Sequence, residues 1–129
     1  MLRVEGNVSR PAVLGFDELA ALPGQIPDVA ALAPGRRGGA VPFGSLLAAV
    51  GVSDGASRVT LESADGEFSQ EAPLAALDSA VLVYRLAADP LPVDLGGPVR
   101  FLIPNLEDCN VPGVDRCTNV KALGRVRIE

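Results

Sequence analysis

The chain contains no histidine and no tryptophan, and it has only two cysteines, one tyrosine and four phenylalanines. Without histidine, the commonest proton shuttle and metal ligand is missing. Zinc centres of the Cys/His kind and Ser-His-Asp catalysis are therefore excluded. Ser45 and Ser63 have no general base near them in sequence, so neither is expected to act as a nucleophile. So few aromatic side chains cannot build a base-stacking platform. The formal charge of −5 argues against a nucleic-acid surface. No apolar run approaches the length that spans a bilayer. Neither nucleic acid nor a membrane is thus an expected partner. Repeats and low-complexity tracts are also absent.

What remains is a chain of 129 residues, 48% of them hydrophobic, which suits one domain over 1–129 with a real core. Eleven prolines and fourteen glycines imply many short elements. Leu2, Val4 and Val8 alternate with Arg3 and Glu5 as in a half-buried strand. Phe16, Leu19, Ala20 and Leu22 have helical spacing, with Asp17 and Glu18 where the helix dipole favours acids. Val29 to Leu32 reads as a short strand. Phe43, Leu46, Leu47 and Val50 trace one face of a second helix that Gly51 ends. Arg58–Ser63 and Phe68–Glu71 read as strands joined by a hairpin at Ala64-Asp65-Gly66-Glu67. Pro73 to Leu77 suggests one helical turn. Val81–Leu86 is apolar almost throughout, so both faces are expected to be covered. Val99–Ile103 and Val120–Ile128 complete an α+β set with a mixed, barrel-like β core and short helices.

Two cations fall near the end of this set. Gly96-Gly97-Pro98 turns the chain into a short strand that carries Arg100, and Lys121 opens the last strand. Two positive charges on neighbouring strands of an acidic protein make a seat for a phosphate. The alternatives are an ion pair of Arg100 with Asp94 or Asp65, and edge protection by Lys121. A basic loop, Pro34-Gly35-Arg36-Arg37-Gly38-Gly39, could cradle an anion with backbone N–H groups and two guanidinium groups, or could be a solvated turn. Glu62, Glu67 and Glu71 read as a solvated face around the hairpin, and Tyr84 as a core residue with a bonded hydroxyl.

Cys109 and Cys117 share one loop that contains Pro and Gly. Three readings stand. They form a local disulfide if the protein is exported, worth roughly 2–3 kcal/mol. They are free thiols if it is cytosolic. A metal site with Glu107, Asp108 or Asp115 is the third. The spacing is not that of a thioredoxin-like redox pair. A strand-like stretch directly after Met1 leaves no leader, so the cytoplasm is the expected location, with an exported mature form as the alternative.

The order of these segments resembles the molybdopterin-binding domain of the sulfite oxidase family. The likeness rests on Ser63–Gly66, Ala80–Tyr84, Leu91-Pro92, Gly96–Arg100 and Val120-Lys121, and it runs from Val4 to Ile128. It implies the sulfite oxidase domain fold, and it implies cofactor-binding roles for Arg36, Arg37, Arg100, Asn119 and Lys121. Molybdopterin is the cofactor that the family implies. In that family a pterin dithiolene and a cysteine thiolate hold molybdenum, the soft sulfur tuning it for oxygen-atom transfer. Here the corresponding loop is Leu32–Gly38, with Leu32 or Ala33 at the thiolate position. Neither can bind a metal, and Cys109 and Cys117 do not match that position. A histidine-bearing upstream arm has no counterpart in these residues.

The expectation is a degenerate homologue that binds a small anionic ligand or a protein partner, with no catalytic residue, no metal ligand and no bound cofactor. Two alternatives are kept. One is a molybdopterin-dependent oxidoreductase of the sulfite oxidase type. The other is an assembly module that pairs through a sheet edge or through the Leu106–Cys117 loop.

Overall fold

The computed structural model describes residues 2–32, 37–77, 80–103 and 120–129. Among the described residues, nine strands build two sheets. The first holds β1 (Leu2–Gly6), β2 (Ala12–Leu14), β4 (Arg58–Ser63), β5 (Ser69–Pro73) and β9 (Leu123–Ile128), in the order β2-β1-β9-β4-β5. The second holds β3 (Gly39–Pro42), β6 (Val81–Leu86), β7 (Asp89–Pro90) and β8 (Arg100–Leu102). In it, β3 lines one edge of β6, while β7 and β8 share the other. Among the described residues, only β1 and β9 pair in parallel and every other ladder is antiparallel. The sheet is mixed, as expected, but both sheets are open: among the described residues no closed barrel forms, because β7 and β8 pair with β6 alone and β2 and β5 remain outer edges.

Alternation decides what each strand buries. Leu2, Val4, Val59, Leu61, Val126 and Ile128 turn inward from the first sheet, leaving Arg3, Arg58, Glu62 and Arg125 on its outer face. There Arg125 pairs with Glu5 at 3.0 Å and reaches Glu62 at 3.8 Å, and Arg58 pairs with Glu71. Such exposed pairs are worth about 1 kcal/mol or less each. They confirm the reading of Glu62 and Glu71 as members of a solvated face.

β6 is different. Val81, Leu82, Val83 and Tyr84 are all buried. Leu82 and Tyr84 join the main core, while Val81 and Val83 join a smaller cluster with Val29, Ala40, Leu91 and Leu102. The apolar run in the sequence thus reflects a strand covered on both faces.

Helix α1 (Phe16–Ala20) starts where the Gly15 N–H donates to Glu18 at 3.1 Å. Helix α2 (Phe43–Val50) ends at Gly51, which is left-handed, while Arg10 donates to the carbonyl of Ala49 at 3.1 Å. Phe43 packs edge-on against Phe101 with ring centres 5.0 Å apart. A turn at Leu74–Leu77 matches expectation. Val29–Leu32 does not form the strand expected: Val29–Ala31 is a 3-10 turn. Asp28 is the reason, since its carboxylate accepts from the Ala30 N–H at 2.9 Å and starts the turn. The strand after the hairpin begins at Ser69 because the Phe68 N–H is taken by the Ser63 hydroxyl at 3.1 Å.

Two predictions follow from buried or bonded polar groups. Tyr84, 2% exposed, donates to Gln25 at 2.5 Å, and Gln25 in turn donates to the carbonyls of Leu19 and Leu22 at the end of α1. Tyr84→Phe should lower stability by about 1–2 kcal/mol, read as a lower urea midpoint with an unchanged slope. Asp65 is held below the usual carboxylate range, first by the Ser63 hydroxyl and then by the Glu67 N–H. A depressed folded-state value means that its contribution is present above the unfolded value and fades as pH falls through the folded one. Asp65→Asn should therefore cost stability near neutral pH and flatten the fall in stability on acidification below about pH 5.

Candidate functional site

β8 alternates across the second sheet. Phe101 enters the main core, whereas Leu102 enters the smaller cluster. Arg100 lies opposite Val83 and so shares that second face. It is half-buried, and Nη1 donates to the Leu95 carbonyl at 3.4 Å.

The turn before β8 is built to lie close to it. Val93–Leu95 forms a 3-10 turn that ends at Gly96 with φ 94°, a left-handed geometry that side chains resist. The Gly97 N–H donates to the Pro92 carbonyl at 2.9 Å. A Cβ on Gly97 would collide with the Leu91 carbonyl, so only glycine fits there.

The segment before β9 is then stitched to this turn. The Phe101 N–H donates to Val120 (2.9 Å), the Ala122 N–H to Gly96 (2.8 Å) and the Leu123 N–H to Val99 (2.7 Å). Lys121 is carried over Gly96 as a result. A Cβ added to Gly96 would lie 3.0 Å from Cδ of Arg100 and 3.3 Å from Cγ of Lys121. Two cationic stems therefore pack over one glycine, whose missing side chain lets both approach. Asp94 lies in the same turn.

Of the five residues expected to hold an anion or cofactor, Arg100 and Lys121 come together. Lys121 does not open the last strand, however: β9 begins at Leu123, and Lys121 sits in an exposed bend. Nor does it guard an edge, because β9 lies between β1 and β4. Asp65, offered as a partner for Arg100, is bonded to Ser63 and Glu67 in the hairpin. Arg37 is exposed just before β3, on the edge of β6 opposite β8, and so lies apart from Arg100. The neighbouring Gly38 and Gly39 pack against Arg85 and do not face open space. Arg36, Asn119, Cys109, Cys117 and the Leu106–Cys117 loop lie outside the described residues, as does Ala33 of the loop expected to correspond to the family's thiolate position. Leu32, the other residue considered there, is exposed. Sequence reasoning missed Gly96 as the base of the site, although its place before Gly97-Pro98 was a visible turn signal.

Gly96→Ala should destabilise the domain by roughly 1–3 kcal/mol, because it adds left-handed strain and pushes the two cations apart. Thermal unfolding would measure this. A neutral result would mean that the turn does not hold the geometry described.

Comparisons with known proteins bear on this arrangement. The family model described as "Oxidoreductase molybdopterin binding domain" matches residues 38–128, a span that includes β3 through β9 and both cations. A search of curated proteins found no match. Among solved structures, the sulfane dehydrogenase SoxCD from Paracoccus pantotrophus aligns with a TM-score of 0.69 and 23% identity, over 98% of this chain. The alignment covers 37% of that chain, so this domain spans little more than a third of its relative's length. At that identity the likeness shows the fold, which agrees with the expected sulfite oxidase type of domain. The family model covers well over half of the sequence, and the chain belongs to the oxidoreductase molybdopterin-binding domain family.

Proposed function

We propose that this chain acts as a single family domain over 1–129, that it binds an anionic ligand of the phosphate class through Arg100 and Lys121, and that it does so without oxygen-atom transfer. The convergence of both cations on Gly96 carries this reading. A guanidinium offers a planar fork of donors to phosphate oxygens, and an ammonium offers a compact charge. Two cations held this close favour an anionic ligand near them.

The residues fit one end of molybdopterin and not the other. Arg100 and Lys121 would hold the phosphate of the pterin, their stems brought together over Gly96. When bound with molybdenum, that cofactor supplies oxygen-atom transfer. The loop before β3 holds no cysteine, histidine or acid between Val29 and Gly39, so it offers no ligand to the metal. Among the described residues, no group of three His, Cys, Asp or Glu is placed to hold a metal ion. No helix there is long and apolar enough to cross a membrane. A second reading, a loaded molybdopterin oxidoreductase, is favoured by the family match itself. The two readings part on the metal and agree on the anion.

Titration calorimetry with inorganic pyrophosphate tests the site. Saturable binding is expected at low salt. Arg100→Gln should weaken it about 10–100-fold, the range for loss of a charged hydrogen bond. The more exposed Lys121→Gln should weaken it less, with an effect that shrinks as salt is raised. Binding that neither substitution alters would remove the basis of the proposal.

A further inference from the structure

Val99 and Arg100 point to opposite sides of β8, so the face away from the cations has its own surroundings. A pocket of about 160 Å³ opens there, lined by α1 on one hand and by Pro90 and Pro98 on the other. Its floor is formed by Leu19, Tyr84 and Leu123, each 2% exposed or less. Phe16 forms one wall, its ring edge-on to Tyr84 with centres 5.6 Å apart. Val99 and Ala64 flank the mouth.

The chemistry of this lining is narrow. Among the described residues, no charged side chain borders the pocket. Its one side-chain polar group is the Tyr84 hydroxyl, which is already committed to Gln25 at 2.5 Å. A charged ligand would lose water there and gain no partner. An apolar cavity of about 150 Å³ is large enough for one benzene ring. The exposed part of the Phe16 ring favours a flat aromatic guest, through stacking or edge contacts.

We propose that this pocket is a second binding site, separate from the cation pair, for a small uncharged aromatic molecule of about one ring. It needs no anion, and its ligand does not reach Arg100, because β8 stands between them. A ring of this size makes few contacts, so binding is expected at about millimolar concentration.

Methyl NMR during a toluene titration tests it. Saturable shifts are expected, confined to Leu14, Leu19, Val99 and Leu123. They should persist when pyrophosphate is present. Benzoate, the same ring with a charge, should bind at least about tenfold more weakly. Ala64→Leu and Val99→Phe fill the pocket from different sides. Either variant, once shown by circular dichroism to be folded, should lose the shifts, so one misfolded variant does not end the test. Shifts that rise linearly without saturation, spread beyond those residues or survive the filled variants would overturn the proposal. So would equal affinity for benzoate. Methyl shifts that follow protein concentration in the absence of toluene would put a second copy in the pocket, and would overturn it too.

Discussion

The molecule depends on β6 being covered on both faces. Its alternating side chains divide the apolar interior between a large core and a smaller cluster. β8 inherits that division through its pairing with β6, so consecutive residues Arg100 and Phe101 are sent to opposite sides. A register slip of one residue would turn the arginine into the main core and the phenylalanine toward the smaller cluster. The cost of burying an unpaired charge holds the register in place. Arg100 is therefore aimed by hydrophobic burial elsewhere in the strand.

Lys121 reaches the same spot by a different route. It belongs to no strand, and three backbone hydrogen bonds from Val120–Leu123 to the Gly96–Phe101 segment bring it there. Backbone bonding fixes where the side chain starts, while the missing side chain of Gly96 lets its stem pack beside that of Arg100. The geometry is thus carried by groups that show no functional signature of their own.

Much of this was legible in the residues. The period-two pattern of β1 and β4, the helical spacing from Phe43 to Val50 and the continuous apolar run of β6 each found their place, because burial of alternate or one-sided side chains is a local property of the chain. Val29–Ala31 misled because its apolar residues suit either a strand or a turn, and a single hydrogen bond accepted by the Asp28 carboxylate settled the matter. The openness of the sheets was hidden because closure depends on which edges meet, and spacing along the chain does not report that. At the site, the type of residue at 100 and 121 signalled the chemistry. Their meeting over Gly96 did not show, since it arises from pairings between segments about twenty residues apart. The apolar pocket left no trace in the sequence at all, because its lining is gathered from seven separate stretches of chain.

Family membership and local chemistry pull in different directions on one point only. The family is described by molybdopterin binding, and the cation pair agrees with a phosphate-bearing ligand. The loop before β3 offers no sulfur, although thiolate is the donor expected for a soft metal in this setting. The most direct measurement is therefore the molybdenum and pterin content of the protein purified from a molybdate-fed culture that loads a known molybdoenzyme in parallel. The account predicts molybdenum far below one atom per chain. Molybdenum and pterin each present at about one per chain would contradict it.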